Sequence, residues 1–202
     1  MAFVAVAAWE AFSAAGLAVQ REANFVGNRY RDTAGLPQPS RSEIREELKL
    51  YVDFVIDKEW PEQRAGHAGF HLSKQIEHLH ALVAKFVPGN MGEPVVHAEI
   101  LHQINNLYSA RRDRWLAAGQ GIPGVIWWIM ILGGVLTVGF SFLFGMPSFP
   151  MHLVMTGMLA AAMGLVMVLI IALDWPFRGD LSVSTTAFEL VRASMEVPAQ
   201  NK

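Results

Sequence analysis

The 202-residue sequence predicts an all-α integral membrane protein: a helical bundle with a transmembrane helical hairpin and a cytoplasmic helical domain. Three observations carry that reading. No Lys, Arg, Asp or Glu occurs from Ile122 to Leu173, the polar segment before it repeats apolar residues at three- and four-residue steps, and no strand-like alternation competes. Composition agrees, with 52% of residues apolar and 17% charged. The 16 Lys and Arg are balanced by 18 Asp and Glu, so the bulk basicity of a nucleic-acid binder is missing and no nucleic-acid partner is expected. With no cysteine, the chain has no disulfide, thiolate nucleophile or Cys-based metal site.

The charge distribution divides the chain into residues 1–19, a partial membrane helix; 20–121, the cytoplasmic helical domain; 122–173, the hairpin; and 174–202, a cytoplasmic tail. Met1 to Ala8 is apolar with no basic residue ahead of it, so it is structure and not a secretory leader. It is too short to cross a bilayer and Glu10 follows at once, so it reads as the end of a span whose beginning is absent, or as a segment inserted beside the hairpin. One long helical pattern runs from Val4 to about Thr33, apolar as far as Val19 and polar beyond, and stops at Gly35-Leu-Pro-Gln-Pro39. Ser40-Arg-Ser-Glu43 has the arrangement of a capping box, in which the Ser hydroxyl and the Glu carboxylate satisfy free N–H groups at a helix start. Ile44, Leu48, Val52, Val55, Ile56 and Trp60 then form one apolar face, with Pro61 marking a stop or kink at Trp60. Further helices are expected from about Gly69 to Phe86 and from Pro94 to Ala118, separated by Pro88-Gly-Asn-Met-Gly92.

Ile122 to Phe144 and Met151 to Leu173 are each 23 residues by their end numbers. That is about 34 Å of helix, enough for a hydrocarbon core of roughly 30 Å. Lipid offers no hydrogen bonds, so such spans are helical. Gly145-Met-Pro-Ser-Phe-Pro150 makes an uncharged turn between them, and Trp127, Trp128 and Trp175 mark one membrane face. Gly157, Ala160, Ala161 and Gly164 give small-xxx-small spacings suited to close helix packing. Thirteen of the 16 basic residues lie between Arg21 and Arg114 and none in the hairpin turn, which places the domain and the tail in the cytoplasm of a cell whose inner (plasma) membrane holds the hairpin. Arg111, Arg112, Arg114 and Arg178 flank the spans as a solvated face within reach of lipid headgroups.

Six of the seven histidines, His67, His71, His78, His80, His97 and His102, fall within 36 residues. His67-Ala-Gly-Phe-His71 has the i, i+4 spacing of a metal pair but lacks the Glu of a metalloprotease and contains a Gly that weakens a helix. No Gly-rich phosphate loop or nucleophile elbow occurs. The sequence therefore reads as non-enzymatic, with no catalytic residue, metal or cofactor assigned.

The motifs Gln20-Arg-Glu-Ala23, Asn28-Arg-Tyr-Arg-Asp32, Leu36-Pro37, Tyr51, Glu59-Trp-Pro61 and Leu173-Asp-Trp-Pro-Phe-Arg-Gly179 occur in that order over nearly the whole chain. In this combination the sequence resembles the bestrophin-like (DUF4239) membrane family, whose members usually begin with an additional apolar span. That family is similar in outline to true bestrophins, which are oligomeric anion channels with a long helix lining the neck. The resemblance implies a homo-oligomer in the lipid bilayer, an apolar constriction at Phe3, Val4, Val6 and Ala7, and Asp174, Pro176, Phe177 and Gly179 at the hairpin exit. Tyr30, Arg31, Asp32, Glu59, Trp60 and Pro61 are family-motif positions for which helix ends and anchoring give a structural reading. Two functions are in play: an anion-conducting subunit, gated by an apolar ring without a charged selectivity residue, and a non-conducting membrane scaffold or sensor whose cytoplasmic helices bind a partner.

Overall fold

The computed structural model describes residues 1–67, 74–85, 93–119, 121–144 and 148–196, the side chains of 93 and 96 excepted, and every regular element among them is helical. The chain runs through α1 (Ala2–Asp32), α2 (Ser40–Phe54), α3 (Trp60–Arg64), α4 (Lys74–Lys85), α5 (Glu93–Gly119), α6 (Gly124–Ser141), α7 (Phe149–Asp174) and α8 (Thr186–Glu196). Residues 86–92 and 145–147, which include most of the two expected Gly/Pro turns, lie outside the described residues, as does the chain end from Val197.

Two cores hold these helices. The larger gathers Val19, Ala23 and Val26 of α1, Leu48, Tyr51 and Val52 of α2, Leu79 and Val83 of α4, and Ile104 and Leu107 of α5, with Phe177 and Phe188 closing it. Periodicity produces it, since each helix contributes residues three or four apart that share one face. The smaller joins Ala8 of α1 to Met130 of α6 and Ile170 and Leu173 of α7, with Phe12, Ile126 and Trp127 packed around them. Most other apolar side chains of α6 and α7, such as Trp128, Leu132 and Leu165, face outward, as lipid-facing residues do.

α1 belongs to both cores. Its 31 residues extend about 46 Å. By length and composition Ala2–Gly35, His97–Ser141 and Phe149–Asp174 each contain a stretch apolar enough to cross a membrane. The apolar part of α1 thus exceeds Met1 to Ala8, as the pattern that stays apolar as far as Val19 leads one to expect. Packing explains the excess: Ala15 and Val19 are apolar because they enter the domain core, while only the part up to Phe12 touches the hairpin. A Cβ on Gly134 would meet the Met1 methyl at 3.4 Å, so α1 begins level with the middle of α6.

Two local expectations are corrected. Of the stop or kink expected at Trp60, the stop does not occur; α2 continues through a π turn, Val55–Glu59, directly into α3. The wider turn precedes Pro61, whose ring would otherwise crowd the carbonyl four residues back. The Ser40–Glu43 capping box does not form. α2 already starts at Ser40, its cap position is Pro39, and Ser42 Oγ donates to the Pro39 carbonyl at 2.7 Å. Arg41 secures the entry instead, donating to the carbonyls of Leu36 at 2.9 Å and Ala34 at 2.7 Å.

The segment after Asp174, set apart as a tail, carries α8. Phe188 and Met195 are buried in the domain core, and Tyr30 donates its hydroxyl to the Met195 carbonyl at 3.1 Å. The turn between α7 and α8 closes through Val183 N–H to the Pro176 carbonyl at 2.7 Å.

Gly66 and Gly179 have positive φ, 84° and 76°. A side chain at Gly66 would also strike the Arg178 guanidinium at 2.6 Å, whereas Gly179 has open space. Gly179→Ala is expected to cost about 1–2 kcal/mol from the left-handed backbone alone, and Gly66→Ala more, because Arg178 must also leave the Gly66 carbonyl and the Trp175 ring. Thermal unfolding of the detergent-solubilised variants measures the order, and equal losses would contradict it.

Candidate functional site

A cluster of charged side chains sits inside the helical domain. Arg114 of α5 has no exposed surface. Its Nε donates to Glu22 Oε2 at 2.5 Å, Nη1 to Gln63 Oε1 at 2.6 Å, and Nη2 to Glu59 Oε1 at 2.6 Å and to Glu22 Oε1 at 3.2 Å. One turn earlier, Arg111 Nη1 donates to Glu59 Oε2 at 2.7 Å and to the Tyr51 hydroxyl at 3.3 Å. Tyr51 in turn donates to Glu22 Oε1. Two carboxylates thus meet two guanidinium groups, and the charges cancel within the cluster. Desolvating such ions costs several kcal/mol each, which only near-complete hydrogen bonding offsets. The rings of Trp60 and Trp115 lie 5.8 and 5.7 Å from Arg114 Cζ and supply favourable ring faces.

This arrangement overturns the reading of Arg111 and Arg114 as a solvated flank. Both are spent inside the protein, while Arg112 is exposed and Arg178 stacks at 4.3 Å on Trp175. The cluster was missed in the sequence, although a signal exists: Glu22 falls on the apolar face three residues after Val19 and four before Val26, and Arg111 and Arg114 continue the buried face of Leu107.

The motif positions fall into separate places. Glu59 joins the ionic cluster. Trp60 packs edge-on against Phe177, ring centroids 5.6 Å apart, and against Phe188 at 6.4 Å. Pro61 is exposed and Pro176 buried. Asp174, at the end of α7, accepts the Ile122 N–H at 2.6 Å and so ties the two hairpin legs where they meet the domain. At the far end Ser141 Oγ and Thr156 Oγ1 lie 3.2 Å apart. Tyr30 carries Arg45 at 4.8 Å over its ring; Arg31 and Asp32 are exposed, and Arg31 bonds Asn28 and not Asp32.

Among the constriction residues, Phe3, Val6 and Ala7 are exposed, and Val4 turns toward the hairpin. They begin a longer feature. Exposed residues recur at three- and four-residue steps through Phe3, Val6, Glu10, Ala14, Leu17, Arg21, Asn24, Asn28 and Arg31. That spacing is a single face of one helix, left uncovered over nearly its whole length while the opposite face fills both cores. Beside it an open groove of about 1080 Å³ runs between α1, α2 and α8, with Asn24, Arg45, Lys49 and Leu190 in its walls.

The histidines scatter. His78 pairs with Glu47 at 2.7 Å, His97 Nε2 lies 2.8 Å from the Val83 carbonyl, and His67, His80 and His102 are exposed. His71 lies outside the described residues. Among the described residues no three His, Asp or Glu side chains gather as metal ligands.

Removing one partner from a buried ion pair leaves the others uncompensated, so Arg114→Gln is expected to lose about 3–5 kcal/mol in denaturant unfolding; a loss under about 1 kcal/mol would show the cluster to be incidental. Burial first, and the Glu22 carboxylate second, raise the Tyr51 hydroxyl well above its ordinary value of 10.0. Its proton is held more tightly folded than unfolded, so this stabilisation is complete below pH 10.0 and is lost as pH rises above it toward the folded value. The melting temperature of the native chain should therefore fall faster above pH 10.0 than that of Tyr51→Phe; parallel curves would refute the point.

Compared with known proteins, the chain matches the family model of the bestrophin-like domain over residues 1–188. No curated protein and no solved structure matches it. The match covers the smaller core, all of the larger core but Met195, the ionic cluster and the hairpin, and the helices long and apolar enough to span a bilayer accord with it. The chain is a membrane protein of the bestrophin-like family.

Proposed function

We propose that the protein is a non-enzymatic subunit of an ion-conducting homo-oligomer in which the exposed face of α1 lines the path, held in the inner (plasma) membrane with the helical domain in the cytoplasm. The observation that carries this is the unbroken exposed face from Phe3 to Arg31, which includes a charged residue, Glu10, level with the hairpin. A carboxylate facing hydrocarbon is costly, and a water-filled axis shared by several subunits would remove that cost. Phe3, Val6 and Ala7 would form the narrow apolar ring, able to gate by dewetting. Gly157, Ala160, Ala161 and Gly164 are exposed on α7, which leaves a close-packing surface open to a neighbouring helix. The resemblance to true bestrophins implies anions as the cargo, and Arg21 and Arg31 at the domain end would concentrate them.

A second reading, a non-conducting scaffold whose domain takes a cytoplasmic partner, draws on the open groove between α1 and α8. The two part on ion flux.

Because the chain has no cysteine, single cysteines report cleanly. Val6→Cys in proteoliposomes should react with a water-soluble thiol reagent and lose ion flux, whereas Ile129→Cys, on the outward face of α6, should do neither. A stable, well-folded oligomer that passes no ions would leave the scaffold reading in its place.

A further inference from the structure

We propose that Glu10 sets the charge preference of the path and makes it favour cations over anions. The inference rests on α1 lining the path, as proposed above, and departs from the anion cargo that the resemblance to true bestrophins implies.

Neighbours fix the level of Glu10. Ala8 is buried against Met130, Ile170 and Leu173, and Phe12 packs on the same cluster, so Glu10 between them is level with the domain-side part of the hairpin. It points the other way, exposed on the same face as Phe3 and Val6. No other Asp, Glu, Lys or Arg occurs from Ala2 to Gln20 or from Ile122 to Leu173. Asp174, just past α7, is buried and committed to the Ile122 N–H. Within Ala2–Gln20 and the hairpin, Glu10 is therefore the lone charged side chain.

Symmetry multiplies it. Around an axis lined by α1, each subunit contributes one Glu10, and a ring of carboxylates between low-dielectric walls gathers cations and repels anions. Val6 and Ala7 stand about 5 Å further toward the hairpin middle at 1.5 Å per residue. Ions reaching the apolar ring from the domain side thus come from a population the carboxylates have already sorted.

The basic residues further along α1 are too distant to reverse this. Arg21 and Arg31 follow Glu10 by 11 and 21 residues on the same helix. That places them about 16 and 32 Å away, against a screening length of about 8 Å at physiological salt. They enrich anions at the mouth, one to several screening lengths from the ring that decides passage.

Reversal potentials across bilayers holding the full chain, with a tenfold KCl gradient, test the proposal. The native chain should reverse toward the potassium equilibrium potential. Glu10→Gln, which keeps the shape and removes the charge, should lower the potassium-to-chloride permeability ratio about tenfold or more, and Glu10→Asp should retain it. A native chain that conducts but prefers chloride, or a Glu10→Gln variant with an unchanged ratio, would overturn the assignment of Glu10 and leave the channel reading intact. A folded native oligomer with no conductance would overturn the channel reading itself and this inference with it. The native ratio alone decides the point should Glu10→Gln fail to assemble.

Discussion

Arg114 gives each of its three guanidinium nitrogens to a side-chain oxygen on another segment: Glu22 on α1, Glu59 at the end of the π turn and Gln63 on α3. A planar fork with fixed donor directions can be satisfied in this way only if four segments arrive together in one register. The buried cluster therefore acts as a positional constraint more than as a source of net stability, since ion pairs moved out of water roughly break even. It explains why α5, whose polar residues are spread widely around its axis, nevertheless packs against α1 and how the π turn is retained. Glu59 and Trp60 must both be buried, one in the cluster and the other against Phe177. A helix that has already widened before Pro61 meets both demands.

From this anchor α1 acquires its role. The domain holds its second half rigidly through Glu22, Val26 and Arg29, and the free half then extends against the hairpin through Ala8 and Phe12. The same helix thus passes from an aqueous domain to the level of lipid without a break. One face is consumed by packing in both environments, and the other is left open from end to end.

The junction between the two environments is built from the Leu173–Gly179 motif. Asp174 satisfies a backbone N–H ahead of α6, Phe177 enters the domain core, and Arg178 reaches the Gly66 carbonyl at 3.2 Å while lying over Trp175. These contacts fasten the hairpin legs to each other and the hairpin exit to the domain, and so account for the motif structurally, without assigning chemistry to it.

Fold class, the hairpin and the long helices ahead of it were legible in the sequence because they depend on local quantities: helical periodicity, an uncharged run long enough to span lipid, and Gly/Pro punctuation; α8, read as part of a tail, was not. The family could be read as well, from the order of short motifs. What only the tertiary structure decided were the destinations of charged side chains. Arg111 and Arg114 look in sequence like any basic flank, and their burial depends on carboxylates 52 to 92 residues away arriving on the same interior face. The same holds for α1, where composition marks an apolar helix with a single Glu10. Which of its faces stays open is set by what packs on the other, and periodicity along one strand of sequence carries no record of a neighbour.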